Sequence, residues 1–297
     1  MTRFIGLFIL LSCCSFAKGE FSRTYIDQFA LSSTHKSGVK ISYKVLGQSD
    51  QSVVLIMGLG SSHILWGDSF IKGIVDANYK VILVDNRDTG ESEKFTAWGE
   101  PTIWWQFLKN YLGLNVDAPY LLEDMAKDII AVMDELELEQ AHIVGASMGG
   151  MIAQILTAQH PDRVTSLTSI MSSTGAKHLP PPSSDSNKRL KALADGDLDQ
   201  SNRFAAMGFE PAAVPRQLMA IIKAGDRSQE VASIEVPTLV LHGADDSLIP
   251  PMHGEHTASL IKNSRYILFQ GMGHNLPDAV LPDLIRELTA HLAAQSR

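Results

Sequence analysis

Ala141-His142-Ile143-Val144-Gly145-Ala146-Ser147-Met148-Gly149-Gly150-Met151-Ile152-Ala153-Gln154-Ile155-Leu156 is the stretch on which the fold of this chain turns. Residues 141–144 read as a short buried strand, and the apolar run from Gly150 to Leu156 reads as a helix. A serine between them, with glycine two residues away on either side, has the sequence context of a nucleophile elbow. Glycine is required there because a Cβ would collide with the neighbouring strand or helix at the strained dihedrals of the turn. Such a turn lifts the serine Oγ above the sheet and aims backbone N–H groups of the helix start at a reacting oxygen. Ser147 is therefore the candidate nucleophile.

A serine hydroxyl needs a base, and the base needs an orienting acid, in the chain order Ser, Asp or Glu, His. The strand-like Pro237-Thr238-Leu239-Val240-Leu241 runs into His242-Gly243-Ala244-Asp245-Asp246-Ser247, delivering a carboxylate to the carboxyl edge of a sheet, where open α/β folds bind their ligands. Asp246, three residues after Gly243, is the first choice and Asp245 the alternative. No acid closes the preceding strand-like run, 166–172. His274, in Gly271-Met272-Gly273-His274-Asn275 after Tyr266-Ile267-Leu268-Phe269, is the candidate base. His35, His63, His160, His253, His256 and His291 sit in polar or helix-flanking contexts and read as surface residues. The i, i+3 pair His253 and His256 lacks a third ligand at metal-site spacing.

The second oxyanion donor in such sites comes from the loop after an early strand. Val53-Val54-Leu55-Ile56-Met57 followed by Gly58-Leu59-Gly60-Ser61-Ser62 has that form, which makes the N–H groups of Leu59 and Met148 the candidate oxyanion hole. The same loop lacks the last glycine of G-x-G-x-x-G and the lysine of a phosphate loop, so nucleotide binding is not expected.

With these residues in hand, the chain resembles serine hydrolases of the α/β-hydrolase fold over residues 25 to 292. Met57-Gly58-Leu59-Gly60 with Trp66, Asp85-Asn86-Arg87-Asp88-Thr89-Gly90-Glu91-Ser92, Gly225-Asp226-Arg227 and Gly271-Met272-Gly273-His274 are together similar to the aclacinomycin methylesterase group. The resemblance implies an ester hydrolase with Ser147, Asp246 and His274 as its catalytic residues. Met57 stands where the wider superfamily commonly has histidine. Asn275 and Ser247 replace frequent aspartate and proline without touching a triad role.

Strand-like runs at 39–46, 53–57 and 81–85 alternate with helical patterns at 69–78 and 121–136, giving an α/β class: a mostly parallel central sheet flanked by helices, with a small cap insertion. Asp124, Asp128, Asp134 and Glu135 are expected to face water. The core occupies 25–172 and 235–297, and 173–234 is the cap, entered through the semi-rigid Pro180-Pro181-Pro182. Residues 85–92 read as a strand end and turn whose charges tie loops together. The segment 94–119, rich in Trp98, Trp104, Trp105, Phe107 and Tyr111, either packs beneath a helix or walls an apolar substrate site, with Trp104 and Trp105 as the candidate substrate contacts.

At 297 residues one capped domain is expected, and 45% hydrophobic with 20% charged residues is ordinary for a packed protein. A net charge of −8 without a basic face argues against nucleic acid as a partner. Met1-Thr2-Arg3, the apolar run from Phe4 to Cys14, and Ser15-Phe16-Ala17 read as a signal peptide over 1–17, so an exported protein starting at Lys18 is expected. Leu10-Leu11-Ser12-Cys13 also approximates a lipobox, with Cys13 as the anchored residue. Both cysteines lie in this segment, so a mature chain would have no disulfide and no membrane span.

The function expected is hydrolysis of carboxylic esters of small to medium apolar substrates, with no metal or organic cofactor. Lactone or thioester hydrolysis, perhydrolysis and C–C bond hydrolysis are alternatives on the same triad. A non-catalytic ligand receptor is the rival from another class. Substrate identity, stereochemistry and oligomeric state are not legible.

Overall fold

The computed structural model describes residues 22, 24–34, 38–99, 105–106, 108–109, 112–194 and 207–295. The leader expected at 1–17, Lys18, the lipobox cysteine Cys13, His35, Trp104, Phe107 and Tyr111 lie outside them. Eight strands form one sheet: β1 (Gln28–Ser32), β2 (Val39–Leu46), β3 (Ser52–Ile56), β4 (Lys80–Val84), β5 (Ala141–Ala146), β6 (Val164–Ile170), β7 (Thr238–Gly243) and β8 (Ser264–Phe269). Their spatial order is β1-β2-β4-β3-β5-β6-β7-β8. The pairs β1·β2 and β2·β4 are antiparallel and all others parallel. The central strands β3 and β5 are buried at every position, which is why they read as mostly apolar runs rather than alternations.

Helices cover both faces. On one side α2 (Leu122–Glu135) and α3 (Met148–Gln159) pack with Val54, Ile56, Ile143 and Leu167 into one core cluster. On the other, α1 (Asp68–Asp76) and the last helix, Leu281–Gln295, close over Leu55, Leu83, Val144 and Leu241. In that last helix Leu281, Leu284, Leu288 and Leu292 recur at spacings of three and four, one buried stripe at the helical period. Among the described residues no helix is long and apolar enough to cross a membrane.

Between β6 and β7 lie α4 (Ser184–Ala194), α5 (Val214–Ala224) and α6 (Ser228–Ala232), in the segment expected as the cap, and β7 is followed by α7 (Met252–Leu260), which makes the C-terminal helix α8. Strand β1 and helices α4, α6, α7 and α8 were not expected from sequence. Strand β1 turns Phe29 and Leu31 outward, at 40% and 69% exposed, and buries Ala30 and Ser32, the reverse of a readable alternation. Helix α8 carries a legible stripe that was not singled out.

The segment after β4 holds the molecule together through buried ion pairs. Asp128, expected to face water, is buried and takes Arg87 at 2.5 Å from Nε and 2.7 Å from Nη2. Its place on α2 puts it against the loop rather than solvent, because a buried guanidinium needs a carboxylate partner. His63, expected at the surface, is buried too. Its Nδ1 and its backbone N–H each lie 2.8 Å from Asp85 Oδ1. Burial works against the ionised form of Asp85, yet the hydrogen bonds and charge of His63 hold its carboxyl below the ordinary carboxylate value. Gly90 turns at φ 53°, where a Cβ would fall 1.9 Å from Asp85 Oδ2.

Candidate active site

The elbow has the geometry its sequence implies. Ser147 sits at φ 56°, ψ −121°, between β5 and α3, with its N–H donating to Ile170 O at 2.9 Å. A Cβ on Gly145 would lie 2.2 Å from Gly149 O, and one on Gly149 would lie 2.0 Å from Ile56 O. Both glycines are therefore demanded by close backbone approach, and the strained backbone at Ser147 is held by surroundings that leave it no alternative. Gly58 approaches from β3: a Cβ there would meet the Ser147 Cβ at 2.9 Å.

Two strand ends deliver the other two groups. His274, after β8, places Nε2 3.0 Å from Ser147 Oγ and Nδ1 2.7 Å from Asp246 Oδ2. Asp246, after β7, is buried, and its other oxygen accepts the N–H groups of Leu248 at 3.0 Å and Ile249 at 2.8 Å. Burial is the largest influence and opposes ionisation. The facing charge of His274, the hydrogen bonds from His242 and His274 and the Ile249 N–H outweigh it and hold the Asp246 carboxyl well below the usual carboxylate range. Asp245 points to solvent while its N–H bonds Met272 O at 2.9 Å, so the choice between the two aspartates falls on Asp246. Gly243 makes the β7 and β8 loops touch, since a Cβ there would lie 2.2 Å from Met272 O.

The N–H groups of Leu59, next to Gly58, and of Met148, next to Ser147, have no hydrogen-bond partner among the described residues. Two donors left open beside a serine Oγ are what an oxyanion needs. Trp105, the described member of the candidate aromatic pair, is 44% exposed, and Trp98 51%. His253 and His256 take separate hydroxyl partners, Ser173 Oγ at 2.7 Å and Thr174 Oγ1 at 3.1 Å.

Sequence reasoning missed His242. It is fully buried, with Nε2 2.8 Å from Ile249 O and 3.5 Å from Asp246 Oδ2. A histidine on the inward side of a buried strand was the available signal.

A serine on a strained turn at the carboxyl edge of a parallel sheet, relayed through histidine to a buried aspartate, fits the α/β-hydrolase arrangement, and a family model described as alpha/beta hydrolase fold matches residues 51–215, more than half of the chain. This chain belongs to the alpha/beta hydrolase fold family. Among curated relatives it is similar to the rhodomycin D methylesterase of Streptomyces peucetius, 27% identical, with 83% of this chain and 92% of the relative covered. The likeness to methylesterases seen in the motifs thus extends over most of both chains. Solved structures sharing the fold include an esterase from Exiguobacterium antarcticum (TM-score 0.72, 19% identical, covering 90% of this chain and all of that one) and the enol-lactonase from Burkholderia xenovorans LB400 (TM-score 0.67, 19% identical, same coverage).

Proposed function

We propose that this hydrolase cleaves carboxylic esters of small to medium apolar substrates by nucleophilic catalysis through an acyl-enzyme. The observation that carries the reading is the unbroken relay from Ser147 Oγ through His274 to Asp246, at 3.0 and 2.7 Å. In this reading His274 Nε2 takes the Ser147 proton as Oγ attacks the ester carbonyl, then returns it to the leaving alkoxide. Water repeats the cycle on the acyl-enzyme. Asp246 holds the imidazole with its proton on Nδ1 and stabilises the imidazolium, and the Leu59 and Met148 N–H groups receive the charge that develops on the carbonyl oxygen. The methylesterase relatives favour an ester over the lactone, thioester, C–C and peracid reactions open to the same triad. The test is a p-nitrophenyl ester series from acetate to palmitate together with a fluorophosphonate probe. Turnover with stoichiometric labelling of Ser147 is expected; a protein that neither turns over nor labels contradicts this reading and favours the receptor alternative.

The pH dependence has a definite sign. Because the Asp246 carboxyl is held low, it stays ionised where imidazoles titrate, and the acid limb belongs to the base alone. Ester hydrolysis is expected to fall as the pH is lowered, since a protonated imidazole cannot accept the serine proton. A pH–rate profile that rises toward acid contradicts the mechanism.

We also propose export, on the charged, apolar and small-residue order of 1–17. N-terminal sequencing of exported material is expected to start at Lys18; a blocked, membrane-pelleting form lost on Cys13→Ser would replace it with a lipid-anchored protein.

A further inference from the structure

The oxyanion loop is not held by the core alone. Gly60, one residue beyond the Leu59 donor, has both backbone groups engaged by the cap. Its N–H donates to Gln217 Oε1 at 2.7 Å, and its carbonyl accepts the Glu210 N–H at 2.7 Å. Gly60 adopts φ 65°, and a Cβ there would press on Phe209 and Val214 at 2.9 Å, so cap atoms sit directly on this peptide. The next residues continue the join: Ser61 forms an isolated antiparallel bridge with Phe209, and Ser62 N–H donates to Gly208 O at 2.8 Å.

Gln217 is fully buried on α5, and its Nε2 donates to Arg87 O at 2.8 Å. A backbone N–H can only donate and a carbonyl only accept, so its two partners fix the orientation of the amide. Its neighbour Arg216 reaches Asp88 through Nε and Nη2, each at 2.9 Å, also in the buried interior. Both ends of the Gln217 amide are thus spent on backbone rather than on another side chain, and a buried amide with satisfied ends acts as a rigid spacer. On the core side, Asn86 Nδ2 donates to Met57 O at 2.7 Å, so the loop bearing Leu59 is pinned two residues before the donor by the core and one residue after it by the cap.

We propose that Gln217 is a positioning residue for the oxyanion hole: by holding the Gly60 peptide against Arg87 O it sets the direction of the Leu59 N–H, so the cap completes the catalytic constellation. This rests on the reading of Ser147 as nucleophile. The hydrogen bonds of Gln217 go to Gly60 and Arg87 and not to the triad, and its contribution appears only where charge develops on the carbonyl oxygen.

The test compares the full chain with Gln217→Met, matched in bulk but without either hydrogen bond; Gln217→Asn, too short to span both partners; and Gln217→Glu, which keeps an acceptor for the Gly60 N–H. Measured are kcat and KM for p-nitrophenyl butyrate, the affinity of a trifluoromethyl ketone whose hemiketal oxygen mimics the oxyanion, and the thermal midpoint. Gln217→Met and Gln217→Asn are expected to lower kcat about 10- to 100-fold, the cost of a small displacement of a catalytic group. KM should stay within about threefold while ketone affinity falls in step with kcat. Gln217→Glu should recover most of both. Wild-type kcat and ketone affinity in a folded Gln217→Met or Gln217→Asn overturns the proposal, as does Gln217→Glu performing no better than they do. Should Gln217→Met not fold, the other two variants decide alone. Turnover retained by Ser147→Ala brings down the esterase reading itself, whereas an inactive Ser147→Ala beside unaffected Gln217 variants removes only the positioning role.

Discussion

Ser147→Ala leaves the fold intact and lowers kcat by about 10³ to 10⁶, the largest effect expected of any single substitution here. The fold survives because alanine keeps the Cβ, and with it the backbone strain already accommodated at φ 56°, while removing only the oxygen that meets His274 Nε2. The residual rate comes from substrate binding and the Leu59 and Met148 donors, which the substitution does not touch. Circular dichroism, a thermal melt and turnover of p-nitrophenyl butyrate on purified protein check it. A variant that melts like the wild type yet keeps its turnover removes Ser147 from the chemistry.

Asp246→Asn is expected to cost about 10⁴ in kcat, and Asp245→Asn very little. The Asp246 carboxylate offers one oxygen to the His274 Nδ1–H and the other to the N–H groups of Leu248 and Ile249. An amide can keep the backbone pair on its oxygen only by turning its NH₂ toward the imidazole, which then must present a bare Nδ1 and carry its proton on Nε2. That is the wrong tautomer to deprotonate a serine. Asp245 is exposed and its carboxylate has no part in the relay. Single-turnover rates of the two variants compare them directly, and the opposite ranking would transfer the acid to Asp245.

The residues legible from sequence are those whose neighbours along the chain announce them. Ser147 is marked by glycines at 145 and 149 that close backbone approach demands, and Asp246 and His274 each follow a short apolar run, 239–241 and 266–269. The central strands were legible for the same reason. What escaped depends on a partner far away in the chain. Asp128 sits in an acidic helix and reads as solvated until Arg87, 41 residues earlier, is placed against it. His63 looks polar-flanked until Asp85 is seen at 2.8 Å. Gln217 is an ordinary amide on a helix until the loop at Gly60, 157 residues away, is folded onto it. Strand β1 was hidden by packing, since its large residues face out, with Lys40 Nζ lying 3.5 Å over the Phe29 ring.

The left-handed backbone at the nucleophile sets two kinds of selection against each other. A serine held in that conformation costs on the order of 1–3 kcal/mol that a residue without a side chain would not incur. Proteins generally lie short of their stability optimum, and stabilising changes are readily found where function is not at stake. At position 147 the two demands meet on one codon. A library of this protein sorted for survival of heat alone is drawn toward glycine there and returns robust, inert molecules, while sorting on turnover holds the serine and leaves the penalty in place. Engineering this enzyme for durability therefore has to seek its gains away from the elbow, with activity scored in every round.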